Sequence, residues 1–208
     1  MHTGNLPKSY QVNVGAMEGI FSNVTNSYKF FWLTSMLDRV QDCGLRTIST
    51  HWLLCRMVAR AWYPVNYLRL HLGKSDMLSQ VASLVMTESG LSIDANVSDV
   101  TTVCLNLQSS SRARKELIRI GRYVPYRFIR PFFMSEIQTL TDHAVNNRII
   151  ELASNSFHDQ NASIYRFIGD NIEITEAWFQ YMSEHVEVLR DFCNGNFVLY
   201  LESKNPNV

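Results

Sequence analysis

A mainly α, multi-helix domain carrying a small antiparallel β-hairpin or three-stranded sheet is the fold that the sequence predicts. Three observations predict it. Apolar residues recur at spacings of three and four in several segments bounded by capping residues and glycines, the signature of amphipathic helices. One stretch, IYRFIGDNIEI over residues 164–174, instead alternates apolar and polar residues about a Gly-Asp-Asn turn. The 208 residues, 46% hydrophobic and 12% aromatic, suffice to bury one sizeable core, so residues 1–208 are read as a single domain.

Residues 1–25 are polar and rich in Gly and Asn, a loosely structured arm whose apolar patch Met17, Ile20 and Phe21 can dock on the core. Asn26 or Ser27 caps the first helix, in which Phe30, Phe31, Leu33, Leu37 and Val40 share a face and Gly44 supplies the stop. Ser49 or Thr50 caps a second helix over residues 51–62, with Trp52, Leu53, Met57, Val58 and Ala61 inward, and Pro64 enforces a turn. After a link over residues 65–72, Ser75 or Asp76 starts a third helix that runs through Met86 on Leu78, Val81, Ala82 and Val85, with Gly90 ending the region. Two short helices follow a polar loop, at residues 97–107 and 109–121. The run VPYRFIRPFF at residues 124–133 sets aromatic and branched residues between prolines, which suits an extended edge segment. Thr141 or Asp142 caps a helix over residues 143–154. Beyond the hairpin, Thr175 caps the longest periodic stretch, from Trp178 through Met182, Val186, Leu189, Phe192, Cys193, Val198 and Leu201, with Gly195 as a kink. Residues 204–208, ending in NPNV, read as the start of a linker.

Formal net charge is zero, with 19 basic and 19 acidic side chains, so only the distribution of charge can point to a partner. Residues 112–130 hold Arg112, Arg114, Lys115, Arg119, Arg122, Arg127 and Arg130 against one acid, Glu116. On a helix Arg112, Lys115, Arg119 and Arg122 form one stripe, with Leu117, Ile118, Ile120 and Val124 left for the core. Such a stripe can follow a phosphate backbone, and Tyr123, Tyr126 and Phe128 are close enough in sequence to add stacking. The competing reading is a solvated helix face whose arginines pair with acids elsewhere.

Other chemistry is sparse. Cys43, Cys55, Cys104 and Cys193 form no CxxC pair and read as buried structural thiols in a reducing, cytoplasmic setting. Asp142 and His143, with Asn146 and Asn147 after them, superficially resemble the acid-histidine start of a metal-dependent nuclease motif, but they fit a helix start better. His158 with Asp159, and His185, carry the same weak signal; Glu173 and Glu176 straddle a helix start, where acids favour the dipole. No phosphate loop and no GxSxG elbow is present. No signal core or membrane segment is read, and no catalytic or metal-binding residue is assigned in this chain.

Four phrases together resemble the N-terminal region of bacterial HNH endonuclease-like proteins: FSNVTNSYKFFWLTSMLDRV (21–40), AWYPVNYLRLHLGKSD (61–76), VPYRFIRPFF (124–133) and IYRFIGDNIEITEAWFQYM through NPNV (164–208). The resemblance implies a helical region followed by a separate hydrolase domain holding a divalent metal, and that domain would lie beyond Val208. On this reading the chain needs no cofactor of its own. It binds or selects DNA through residues 112–130 and partners its own C-terminal nuclease domain, with self-association left open. The alternative is a protein-interaction or regulatory module, suggested by the aromatic residues Trp32, Trp62, Tyr63, Tyr67 and Trp178 in a chain of low charge. A complete small enzyme using His143 is a third expectation.

Overall fold

A computed structural model describes residues 6–205, with only the backbone described at residues 142–143. The helices among the described residues are α1 (Val14–Glu18), α2 (Tyr28–Cys43), α3 (Thr50–Trp62), α4 (Met77–Ser89), α5 (Val97–Leu105), α6 (Arg112–Gly121), α7 (Val124–Ile129), α8 (Met134–Ile137), α9 (Asp142–Asn155) and α10 (Glu176–Glu184). The helix α11 (Val186–Lys204) closes the described chain, and the strands are β1 (Thr47–Ser49), β2 (Tyr165–Ile168) and β3 (Asn171–Ile174). The fold is mainly α with a small antiparallel sheet. Helix α3 packs against α2, α4, α5 and α6, while α2 also meets α7, α10 and α11. Trp32, Trp62, Trp178, Tyr165 and Phe128 are the largest side chains buried at the centre.

Local chemistry sets most boundaries. Ser49 accepts the Trp52 amide at the start of α3, and Thr175 accepts that of Trp178 at the start of α10. Gly44 and Gly90 close α2 and α4 in the left-handed conformation. Ser27 stands at the N-cap of α2 without capping it: its backbone N–H and its hydroxyl both donate to Asp76 Oδ2, each at 2.7 Å. Asp76 Oδ1 accepts the Leu78 amide at 2.9 Å, so one carboxylate ties the start of α2 to the start of α4.

The hairpin forms as its alternation predicts, with Ile168 opposite Asn171 across a two-residue turn. Gly169 takes φ +55° at the first turn position, as a type II′ hairpin requires. The third strand comes from elsewhere. Residues 47–49 pair antiparallel with β3, giving the order β1-β3-β2, with Ile48 opposite Ile172. The segment 124–133, expected to be extended, is helical: α7 runs directly into a 3₁₀ turn (Arg130–Phe133). Its prolines each sit in the first turn of a helical piece, where the missing N–H has no intrahelical acceptor to lose. Val124, Pro125, Phe128 and Ile129 then fall on one buried face at helical spacing.

Two further boundaries differ from expectation. Pro64 does not end its helix, because α3 widens into a π-helical turn (Tyr63–Tyr67) closed by a bond from the Leu68 amide to the Tyr63 carbonyl at 3.0 Å. The long C-terminal stretch breaks at His185 (φ −121°, ψ 24°) rather than at Gly195, which lies inside α11. Val198, nine residues on from buried Leu189, falls about 180° around the same helix and is exposed instead of joining the core.

Candidate nucleic-acid interface

The basic segment begins where Glu88, near the end of α4, reaches the N-terminus of α6. One of its oxygens accepts the Ser111 hydroxyl at 2.6 Å, and the other accepts the Arg112 and Ala113 amides at 3.1 Å each. Ser111 in turn caps the Arg114 amide at 3.0 Å. A carboxylate at a helix N-terminus is favoured by the dipole, and this one anchors the helix by its end. Ala113, Leu117 and Ile120 then face the core. At 100° per residue Arg112, Lys115, Arg119 and Arg122 fall within about 80° of azimuth on the opposite face, and all four are exposed. Ile118, expected inside, is 45% exposed beside them.

The structure divides the seven predicted cations. Arg114 stands apart from the stripe: it lies half-buried, and its Nη1 donates to the Leu107 carbonyl at 2.7 Å, holding the loop that precedes α6. Arg119 pairs with Glu116 of its own helix at 2.7 Å. Arg112, Lys115 and Arg122 form no ion pair among the described residues. Arg127 lies over the Tyr123 ring, 5.1 Å from its centroid. Arg127 and Arg130, with Tyr123 and Asn146, border a hollow of about 380 Å³. Asn146 closes it from α9 by donating to the Arg122 carbonyl at 3.2 Å.

What aims α7 at this hollow is the sheet. The Tyr165 hydroxyl donates to the Pro125 carbonyl at 2.5 Å, and its ring stacks on Phe128 at 6.3 Å. Tyr126 stacks on Phe167 at 4.7 Å. Phe128 is fully buried and Tyr126 is already stacked, so of the three aromatic residues read as base-stacking candidates, Tyr123 is the one presented to solvent.

Sequence inspection missed a cation that belongs here. Lys29 of α2 donates to the carbonyls of Ile20 (2.8 Å) and Asn23 (3.1 Å), and it borders a small recess shared with Arg127. Burial, then the positive charges of Arg130 and Arg127, lower its pKa to about 8. The unfolded chain retains an ordinary lysine, so between pH 8 and about 10.4 the unfolded state binds more protons and stability rises with pH. Between pH 7 and 9.5, urea unfolding is expected to show a gain of about 1–2 kcal/mol in wild type relative to Lys29→Met. Equal pH dependence in the two proteins would exclude the shift.

Comparison of the chain with models of protein families, with curated proteins and with solved structures finds no match. The resemblance to HNH endonuclease-like proteins therefore rests on the sequence phrases alone.

The remaining candidates resolve into structural roles or stay outside the site. The Asp142 and His143 side chains lie outside the described residues. His185 packs edge-on against Tyr181 at 4.7 Å, and His158 packs edge-on against Phe157 at 5.0 Å. Glu173 is held by Arg46 and Arg166, and Glu176 by Arg46. Cys55, Cys104 and Cys193 are buried free thiols, whereas Cys43, at the solvent-facing end of α2, is exposed and accepts from Arg39 Nη1 at 3.0 Å. Among the described residues no cluster of three or more His, Cys, Asp or Glu side chains could hold a metal, and no helix is long and apolar enough to cross a membrane.

A second charged arrangement was also missed. Asp38, on the buried side of α2 and 1% exposed, receives three guanidinium groups. Arg56 Nε lies 2.6 Å from Oδ2, Arg190 Nη1 2.9 Å from Oδ1, and Arg60 bonds both oxygens through Nε and Nη2. The i, i+4 spacing of Arg56 and Arg60 is visible in the sequence, but Arg190 arrives from 130 residues further on.

Proposed function

We propose that this chain is a nucleic-acid-binding module that engages the backbone of DNA through Arg112, Lys115, Arg119, Arg122, Arg127 and Arg130, with Lys29 beside them. The observation that carries the reading is the grouping of Arg112, Lys115, Arg119 and Arg122 on one exposed face. Outside residues 112–130, Arg46, Arg148 and Arg166 pair with acids and Arg56, Arg60 and Arg190 share Asp38, while Arg39 and Arg69, on separate elements, form no ion pair among the described residues. Within the segment, Arg112, Lys115 and Arg122 share an exposed face with no acid paired to them among the described residues. Its chemistry suits phosphate, which arginine binds through planar paired donors, and Tyr123 adds a ring for an unstacked base.

As part of an HNH-type endonuclease, such a module would position DNA while a following domain carried the metal and the hydrolysis. The sequence phrases support that parentage. Sequencing the gene beyond Val208 tests it directly, the expected result being an HNH motif.

Binding to a DNA duplex of about 20 base pairs, measured by fluorescence anisotropy at two salt concentrations, tests the interface. Six phosphate contacts predict a weakening of roughly 2,000-fold between 50 and 200 mM salt. The Lys115→Glu, Arg122→Glu double variant is expected to lose at least tenfold in affinity at the lower salt and to flatten the salt slope. Unchanged affinity in a folded variant would discard this surface.

A second reading has an observation of its own. Tyr63 and Tyr67 stack at 4.7 Å on the π-helical turn, about half exposed, with Leu68 exposed next to them. An exposed aromatic pair of this kind suits a protein partner. Loss of a partner complex, with DNA affinity retained, in Tyr63→Ser, Tyr67→Ser would favour it.

A further inference from the structure

The Asp38 cluster opens onto a cleft of about 290 Å³ between α2, α3 and α11. Arg60 and Arg190 line it on one side, Asn194 stands exposed at its rim, and Phe31 and Phe197 supply apolar walls, their rings edge to face at 5.1 Å. Three guanidinium groups around one carboxylate leave two positive charges without a partner. A further acid, Glu187, accepts from Gln41 at 3.4 Å and forms no ion pair with these arginines among the described residues. Arg190 spends Nη2 on Gln41 Oε1 at 2.9 Å. Arg60 Nη1 and Arg190 Nε make no hydrogen bond among the described residues. The Asn194 amide is likewise without one.

These features converge on one class of ligand. Uncompensated guanidinium charge in a partly desolvated cleft attracts an anion more strongly than the same charge on an open surface, because low local dielectric and fixed geometry both act in its favour. Asp38 holds Arg60 by a two-point contact and Arg190 by one, so the donors are oriented before any ligand arrives. The aromatic walls call for a planar apolar body. The volume, about 290 Å³, lies just below the range of drug-sized sites, roughly 300–1,000 Å³, which suits one ring with its acid group and no nucleic-acid duplex.

We propose that this cleft is a binding site for a small aryl anion, a ring bearing a carboxylate or a phosphate, whose charge is met by Arg60 and Arg190 and whose ring packs against Phe31 and Phe197. The site is separate from the basic face of α6 and does not depend on its function.

Calorimetric titration of the full chain with benzoate, phenyl phosphate, inorganic phosphate and neutral benzamide tests it. At least one aryl anion is expected to bind about tenfold or more tightly than either inorganic phosphate or benzamide, which separates the contributions of charge and ring. Which of the two aryl anions binds more tightly identifies the acid group. Asn194→Trp, a change at an exposed rim position, is expected to fill the mouth and abolish binding with the melting temperature retained. Arg60→Gln is expected to weaken binding at least tenfold, since Asp38 keeps Arg56 and Arg190. Lys115→Glu, Arg122→Glu leaves the affinity unchanged. The proposal is overturned by absence of binding at about 10 mM of either aryl anion, by benzamide binding equally well, or by full affinity in folded Asn194→Trp.

Discussion

Replacing Asp38 with alanine is expected to lower the unfolding free energy by about 3–5 kcal/mol, the cost of removing one partner from a buried ionic group. The carboxylate is 1% exposed and anchors guanidinium groups from α3 and α11 to α2. Without it, three cations are left close together with their hydrogen bonds unmade and their repulsion uncompensated. For a chain of this size the melting temperature falls by roughly 10 °C. Asp38→Asn retains an acceptor and the shape but not the charge, so an intermediate loss is expected. Acid should reproduce the effect in wild type. Burial alone pushes the Asp38 carboxyl up, but hydrogen bonds from Arg60 and Arg56, with their charges, outweigh it and hold the group below the ordinary carboxylate value. A depressed folded-state pKa gives stability that is complete above the unfolded value, near 3.9, and is lost as pH falls through the folded one. Urea unfolding at pH 7 and pH 3 checks this: wild type loses more stability than Asp38→Ala over that interval. A loss below about 1 kcal/mol at pH 7 would show that the cluster contributes as an exposed pair does.

The elements legible in the sequence are those whose signals are local. Ser49, Asp76 and Thr175 cap their helices as the sequence predicts, Gly44 and Gly90 stop theirs, and the Gly169 turn sets the hairpin register. The elements that differ from expectation involve residues that serve two structures equally well. Pro125 and Pro131 fit a strand edge or a helix first turn, and only the buried surface formed by Val124, Phe128, Ile129 and Phe133 decides for the helix. The strand Thr47–Ser49 is too short for any period to show, and it exists because β3 offers a free edge. The candidate interface divides in the same way. Azimuth along α6 places Arg112, Lys115, Arg119 and Arg122 together from spacing alone. The removal of Arg114 to the Leu107 carbonyl and the arrival of Lys29 from α2 depend on tertiary packing. Asp38 sits within an apolar helical run, and nothing local reveals that its partners are 18, 22 and 152 residues away.

Gly73 illustrates how such distant contacts constrain one backbone position, and its substitution is expected to be the second most damaging change. Its φ is +119°, a conformation that L side chains rarely adopt, and a Cβ there would lie 2.7 Å from the Tyr200 hydroxyl oxygen. That hydroxyl donates to the Leu72 carbonyl, binding α11 to the loop that leads into α4. The same loop presents Asp76, through which α2 and α4 are joined. Gly73→Ala is therefore expected to cost about 2–4 kcal/mol, combining backbone strain of order 1–3 kcal/mol with loss of a buried hydrogen bond. The two contributions separate in a double-mutant cycle. Tyr200→Phe removes the oxygen that the new methyl group would strike, so Gly73→Ala should cost about 1 kcal/mol less in that background than in wild type. Gly19→Ala supplies the control: its backbone is right-handed helical, and an added Cβ meets nothing within 4 Å. That substitution is expected to change stability by less than about 0.5 kcal/mol. If Gly73→Ala behaved like Gly19→Ala, the loop would be free to move away from Tyr200, and the hydroxyl contact could not be what holds α11 to it.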